Sequence, residues 1–318
     1  MLRAPILFAA RSRTVERFIT GMPKAAAVVD RFVGGRDAHA AAAVAQALLG
    51  RGLTVTLDYL GEDTTDLAQA RTTVDAYLEL LTDLDQLGLT GLVDGKALTA
   101  RADVSVKLSA AGQALGGDGE KVALESARTI CAAAQKVGAT VTLDMEDHTT
   151  TDSTLAILAE LRGDFPATGA VLQAYLRRTE GDCRNLAGPG SRVRLCKGAY
   201  AEPESVAYTG RLDVDLSYVR CANILLAGGG YPMLATHDPR LIAIAVQRAA
   251  FHGKVKGDFE FQMLYGIRPE EQRRLAAAGH TVRVYIPYGA QWYGYLMRRL
   301  AERPANVGFF LRALTSKR

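Results

Sequence analysis

The feature that most constrains this chain is an alternation. Eight short β-rich runs recur along it: Leu53–Asp58, Val104–Leu108, Thr140–Met145, Ala170–Tyr175, Val193–Lys197, Pro232–Thr236, Phe259–Leu264 and Thr281–Ile286. Between them lie alanine- and leucine-rich segments with helical spacing, among them Thr65–Leu87, Glu120–Val137, Ser153–Arg162, Asp215–Ala227, Pro239–His252 and Pro269–Ala278. Eight strands alternating with helices, and no long structureless loop, predict an α/β fold, a closed (β/α)8 TIM-type barrel. A doubly wound open sheet would normally carry a glycine-rich phosphate turn after its first strand. Here that strand runs into Asp58-Tyr59-Leu60-Gly61-Glu62 instead.

Extensions flank the barrel. The first fifty residues read as extra helices (Thr14–Ile19, Lys24–Val33, Ala38–Leu49), so residues 1–50 form a helical segment packed on a barrel of residues 51–318. A C-terminal helix is expected over the barrel mouth, and the tail should add a short helix, Ala305–Leu314. At 318 residues this fits one barrel domain with extensions. The four cysteines are widely spaced, with no CxxC pair, which suits a reducing cytoplasm rather than a disulfide framework. The formal net charge is +4 and too diffuse for a nucleic-acid stripe. No run approaches the length of a membrane span, so any membrane contact is expected to be peripheral.

Reacting groups of such barrels sit at the carboxyl ends of the strands. Nearly every run ends in a polar or ionisable residue: Asp58 with Glu62, Lys107, Asp144 with Glu146, Gln173, Arg194 with Lys197, Thr236 with His237, Gln262, and Tyr285. That is the pattern of a catalytic face. Several single roles stay open from the residues alone. Lys107 is a Schiff-base nucleophile, an electrostatic anchor or a rim lysine. Asp144, Glu146 and His148, as D-x-E-x-H, could put three metal ligands on one strand face, although no second histidine cluster supports a metal. His237 is a ligand, a base, a hydrogen-bond donor or a structural histidine. Arg298 and Arg299 follow an aromatic stretch and could grip a carboxylate in bidentate fashion.

The segments VSVKLS, VTLDMED, LQAYLRR, VRLCKGAY, LATHD, FEFQMLYG and VYIPYGAQWYGYLMRRLAE, with a weaker LDYLGE, resemble in order the motifs of the proline dehydrogenase family. The resemblance runs from about Leu53 to Glu302 and is to the monofunctional form, without DNA-binding or aldehyde dehydrogenase portions. It implies FAD-dependent oxidation of L-proline to pyrroline-5-carboxylate, hydride passing from C5 to the flavin N5. It also implies electrons delivered to a membrane quinone, docking on the inner face of the membrane, and a separate pyrroline-5-carboxylate dehydrogenase as transient partner. Carried over motif by motif, Asp144 and Arg194 are the catalytic positions. Lys107, Arg298 and Arg299 would hold the substrate carboxylate, and Tyr285, Tyr295 and Leu264 would wall its ring. Met145, Gln173, Arg194, Cys196, Gly198, Ala199, Tyr200, Thr236 and His237 would hold FAD, and Glu62 would pair with Arg298 as a gate. Two positions depart from the family pattern: Asp238 stands where asparagine is usual, and Cys196 where an aliphatic residue is common. Methylenetetrahydrofolate reductase, another flavin barrel, and a metal-dependent barrel hydrolase are the alternatives.

Overall fold

The structure is a computed structural model that describes residues 29–61, 64–95 and 98–302, with side chains up to Met297. Eight parallel strands close into one barrel in sequence order. They are β1 (Thr54–Tyr59), β2 (Ala102–Val106), β3 (Thr140–Leu143), β4 (Gly169–Gln173), β5 (Arg192–Cys196), β6 (Tyr231–Ala235), β7 (Glu260–Leu264) and β8 (Thr281–Tyr288). The helices described are α1 (Ala38–Leu49), α2 (Leu67–Gln86), α3 (Gly119–Val137), α4 (Thr151–Asp164), α5 (Thr179–Leu186), α6 (Arg211–Ala227), α7 (Pro239–Phe251), α8 (Pro269–Ala277) and α9 (Trp292–Glu302). The expected barrel is therefore observed. Helix α1 coincides with its expected range, whereas Thr14–Ile19, most of Lys24–Val33 and Ala305–Leu314 lie outside the described residues.

Local chemistry explains the boundaries. Asp37, Asp66 and Asp238 each accept a hydrogen bond from a first-turn amide of α1, α2 and α7, and Pro239 opens α7. Left-handed Gly138 ends α3. Helix α5 had no counterpart in the expected pattern. Its mean composition is polar (TEGDCRNL), and only Thr179, Asp182 and Cys183 are buried, so it carries little apolar periodicity to read. A π-helical turn, Ser109–Gln113, follows β2 and was also not anticipated.

Apolar strand residues such as Val55, Leu57, Val104, Val141, Leu195, Phe261 and Val284 are buried with the surrounding helices in one continuous core. Their alternates face the barrel axis, and here the barrel departs from the branched aliphatic filling usual for the fold. Arg192 reaches across to Asp103 at 3.0 Å, and Arg283 grips Glu260 at 2.7 and 3.1 Å, all four side chains fully buried. Thr56, Thr140 and Thr142 donate to the Asp103 carboxylate as well. Burial alone would raise the Asp103 carboxyl, but Arg192, Arg283 and Arg194 outweigh it and hold it below its usual range.

Helix α1 packs against α2, β1 and β8. The segment before it crosses the β7 and β8 ends closely: a Cβ at Gly266, φ +75°, would lie 1.8 Å from the Arg31 carbonyl oxygen. The chain leaves β8 beside β1, where Leu60 N–H donates to the Tyr288 carbonyl, and α9 starts within four residues. Helix α9 therefore begins on the carboxyl side of the barrel, with Trp292, Tyr293, Tyr295 and Leu296 buried. Among the described residues no helix is long and apolar enough to cross a membrane.

Candidate active site

Strand polarity and register place the candidate groups. Residues two apart on a strand share a face, so Asp103 and Ser105 climb the inside of β2, with Lys107 one residue past its end, as Arg192, Arg194 and Cys196 climb β5. The upper members meet at the carboxyl end. Arg194 is buried and fully engaged: its Nε donates to Gln262 at 2.6 Å, Nη1 donates to Ser105 at 2.7 Å and to Asp144 at 2.8 Å, and Nη2 lies 3.4 Å from Asp103. Its guanidinium also sits 5.2 Å from the centre of the Tyr285 ring. Burial works against that charge, but Asp144 and Asp103 more than restore it.

Asp144 accepts from Arg194 on one oxygen and from the Tyr285 hydroxyl, at 2.7 Å, on the other. Burial, with Asp144 and Asp58 close by, pushes the Tyr285 phenol up, so it stays protonated and donates. Lys107 is ion-paired to Asp58 and lies 3.9 Å from Asp144. Pairing to two carboxylates is the setting of an electrostatic anchor, not of the uncharged amine a Schiff base requires. Four expected site residues thus converge, Lys107 and Asp144 from just past the ends of β2 and β3, and Arg194 and Tyr285 from β5 and β8. Each of Lys107 and Asp144 keeps 13% of its side chain accessible, so the cluster is open to a ligand from above.

The D-x-E-x-H reading is corrected. Strand β3 ends at Leu143, so Asp144, Glu146 and His148 do not share a strand face. Asp144 turns to Arg194, Glu146 accepts from the Ser109 hydroxyl and amide, and His148 pairs with Glu202. No group of three His, Cys, Asp or Glu side chains among the described residues is arranged to hold a metal.

The remaining expected residues line the rim. Gln173 donates to the Glu146 carbonyl, and the Thr236 hydroxyl accepts from the Asp238 amide. His237 Nε2 accepts from the Leu264 amide, and its carbonyl accepts from Arg268. Met145 is buried, Leu264 half-buried, and Ala199 and Tyr200 exposed. At Gly198, φ +111°, a Cβ would fall 2.2 Å from the Tyr175 ring, so only glycine lets the chain pass. Burial, reinforced by Asp144, raises the Cys196 thiol to about 11, which leaves it a neutral neighbour. Asp238 is ion-paired to Arg240 at 2.7 Å and lies 3.6 Å from Lys197. The Arg240 hydrogen bond, aided by Lys197 and outweighing partial burial, holds it well below the usual carboxylate range. Its charge is thus answered locally. Glu62 and the side chains of Arg298 and Arg299 lie outside the described residues; the two arginines stand on the last turns of α9. A groove of about 500 Å³ on the outer surface between α7 and α8, lined by Ile242, Val246, Arg274 and Leu275 among others, gathers no comparable set.

Sequence reasoning missed the layer beneath the site: Asp103, Arg192, Glu260 and Arg283. The signal was there, because DVSVK, RVRLC, EFQML and RVYI alternate polar with apolar. Strands of a parallel sheet covered on both faces usually read as continuous apolar runs, so alternation in them marks a polar barrel interior.

Comparison with known proteins bears on what this layered cluster serves. The family model described as proline dehydrogenase matches residues 41–312. A proline dehydrogenase of Deinococcus radiodurans is 40% identical over 289 residues, 90% of each chain. Proline dehydrogenase 1 of Bacillus subtilis strain 168 is 35% identical over 317 residues, spanning both chains completely. This chain belongs to the proline dehydrogenase family. Among solved structures, proline utilization A (PutA) from Bdellovibrio bacteriovorus, inactivated by N-propargylglycine, superposes with TM-score 0.79 at 25% identity, covering 93% of this chain and 38% of that one. The Lys107–Asp144–Arg194–Tyr285 cluster lies at the carboxyl end of the strands, where the reacting groups of this fold sit.

Proposed function

We propose that the protein oxidises L-proline to pyrroline-5-carboxylate at the carboxyl end of the barrel, with FAD as cofactor. The observation that carries this reading is the joined set of Lys107, Asp144, Tyr285 and buried Arg194 at the strand ends of a family barrel. The donor chemistry fits a flavin. A buried guanidinium, held from below by Asp103 and Gln262, is a fixed positive charge of the kind that stabilises a ring turning anionic on reduction. Half-buried strand ends at Cys196, Gly198, Ala235, His237 and Leu264 leave an accessible ledge beside it. Arg194 would hold the flavin ring, with Met145, Gln173, Cys196, Gly198, Ala199, Tyr200, Thr236 and His237 holding the rest. When bound, FAD would supply the acceptor for the hydride, and with it the two electrons, that proline gives up.

The chain's own residues would do the positioning. Lys107, with Arg298 and Arg299 of α9, takes the proline carboxylate, and Tyr285, Tyr295 and Leu264 wall the ring. Fixing a small substrate by its acid group converts an encounter into an oriented one, an effect worth several kcal/mol. The same cations favour loss of the proton from the amine. Asp144 orients Arg194 and Tyr285 by accepting from both. Glu62 would pair with Arg298 to close the site. Electrons pass on to a quinone at the inner face of the membrane, where the protein docks peripherally. The product passes to a separate pyrroline-5-carboxylate dehydrogenase. A helical segment of residues 1–50 would flank this barrel, a reading that the seating of α1 on β1 and β8 supports.

The test is spectroscopic. The purified protein is expected to be yellow and to lose its visible flavin absorbance anaerobically when L-proline is added. A colourless protein, or one bleached by NADH and not by L-proline, sinks the reading.

A further inference from the structure

One neutral side chain in the barrel interior touches a cation above it and an anion below it. Gln262, on β7, is 3% exposed. Its Oε1 accepts from Arg194 Nε at 2.6 Å, and its Nε2 donates to Glu260 Oε1, also at 2.6 Å. Glu260 lies two residues earlier on the same strand face, fully buried. Arg283 donates to both of its oxygens, and the Tyr231 hydroxyl donates to Oε2 at 3.2 Å. An arginine only donates and a carboxylate only accepts. Its two neighbours therefore leave the Gln262 amide a single orientation, carbonyl toward Arg194 and NH2 toward Glu260.

The other holds on Arg194 differ in kind. Nη1 donates to Ser105 and Asp144, and Nη2 lies 3.4 Å from Asp103. Two of these three are carboxylates, which offset the guanidinium charge as they hold it. Gln262 takes the Nε edge and adds no negative charge. We propose that Gln262 is a positioning residue for the flavin-facing Arg194. It is a neutral link that carries the alignment of the fully buried Arg283–Glu260 pair up to the guanidinium, fixing its plane while leaving its charge uncancelled by a third carboxylate. A methionine here, of similar length, would leave the Nε hydrogen without its acceptor, and the remaining holds would draw Arg194 toward Asp103, Ser105 and Asp144. An ionised glutamate would set a third carboxylate on Arg194 and a second against Glu260. Either change weakens the positive charge offered to a ring that becomes anionic on reduction.

This role rests on Arg194 being the group that holds the flavin ring, and the two claims fail separately. If L-proline does not bleach wild type, the functional reading fails. If wild type bleaches and the Gln262 variants keep its potential, only the role of Gln262 fails. The measurement, on protein purified with its FAD, is the two-electron reduction potential of the flavin by anaerobic dye-linked titration, with kcat and KM for L-proline alongside. Gln262→Met should shift the flavin about tenfold toward its oxidised form, about 30 mV for two electrons. It should lower kcat about 10- to 100-fold, with KM within about twofold, because the substrate's acid group is assigned to other side chains. Gln262→Glu, measured at about pH 8.5, should shift the potential further in the same direction, and it decides the matter alone should the methionine variant not fold. A packing role would lower the denaturation midpoint of both variants and leave their potentials at the wild-type value, which overturns the proposal. So does a KM that rises as far as kcat falls.

Discussion

The two ends of this barrel are built from the same residue types and do opposite things with them. At the amino end, Arg192–Asp103 and Arg283–Glu260 are sealed, with no exposure on either partner and every carboxylate met by guanidinium or hydroxyl groups. At the carboxyl end, Lys107–Asp58–Asp144 is crowded with negative charge, partly open, and tied by an ammonium. A saturated network holds geometry; an unsaturated one can respond. The difference lies in partner count and water access, not in residue type, and it places a sealed layer of ion pairs under a partly open one. Arg194 joins the two, anchored to Asp103 below and to Asp144 above.

The comparison can be broken from below. Glu260→Ala leaves Arg283 buried without its carboxylate, and breaking such a pair costs about 3–5 kcal/mol. A large drop in the denaturation midpoint is expected; an unchanged midpoint would mean the sealed layer is not a lock. Next in size is Lys107→Met at the upper end. It should lower kcat/KM for L-proline about 100-fold, the range for losing one member of a buried charge pair. Stability should fall by no more than about 1 kcal/mol, because Asp58, already raised to about 6, can go neutral. A variant that lost stability and kept its kcat/KM would erase the distinction between the two ends. The smallest effect is expected at the rim, where Arg240 is well exposed. Asp238→Asn keeps a side chain able to cap α7 and removes the ion pairs, so it should cost under about 1 kcal/mol at neutral pH. The folded carboxyl of Asp238 is depressed, so its contribution is present above the unfolded value and lost as pH falls below about 4. The melting temperatures of the two proteins should therefore converge in acid.

How much of this was readable beforehand depends on the range of the interaction. The eight strands and most helices follow from local periodicity, and the strand ends named Lys107, Asp144, Arg194 and Tyr285 before any geometry was known. Helix α5 escaped because it is short and polar. The expectation that Asp144, Glu146 and His148 share one strand face arose from spacing alone; β3 stops one residue before Asp144, after which the three side chains part. Gln262 was visible as a strand end, but the link it makes between Glu260 and Arg194 was not.

By itself, then, the sequence determined the alternation of strands and helices, the polarity of each strand end and the family motifs, all of which are encoded within a few residues of one another. Tertiary structure alone decided which charges pair. Asp103 meets Arg192 across 89 positions, and Arg283 donates to the Val55 carbonyl across 228. Barrel closure brings these strands to the same axis, and the low polarizability of that interior makes each charge depend on its nearest partner.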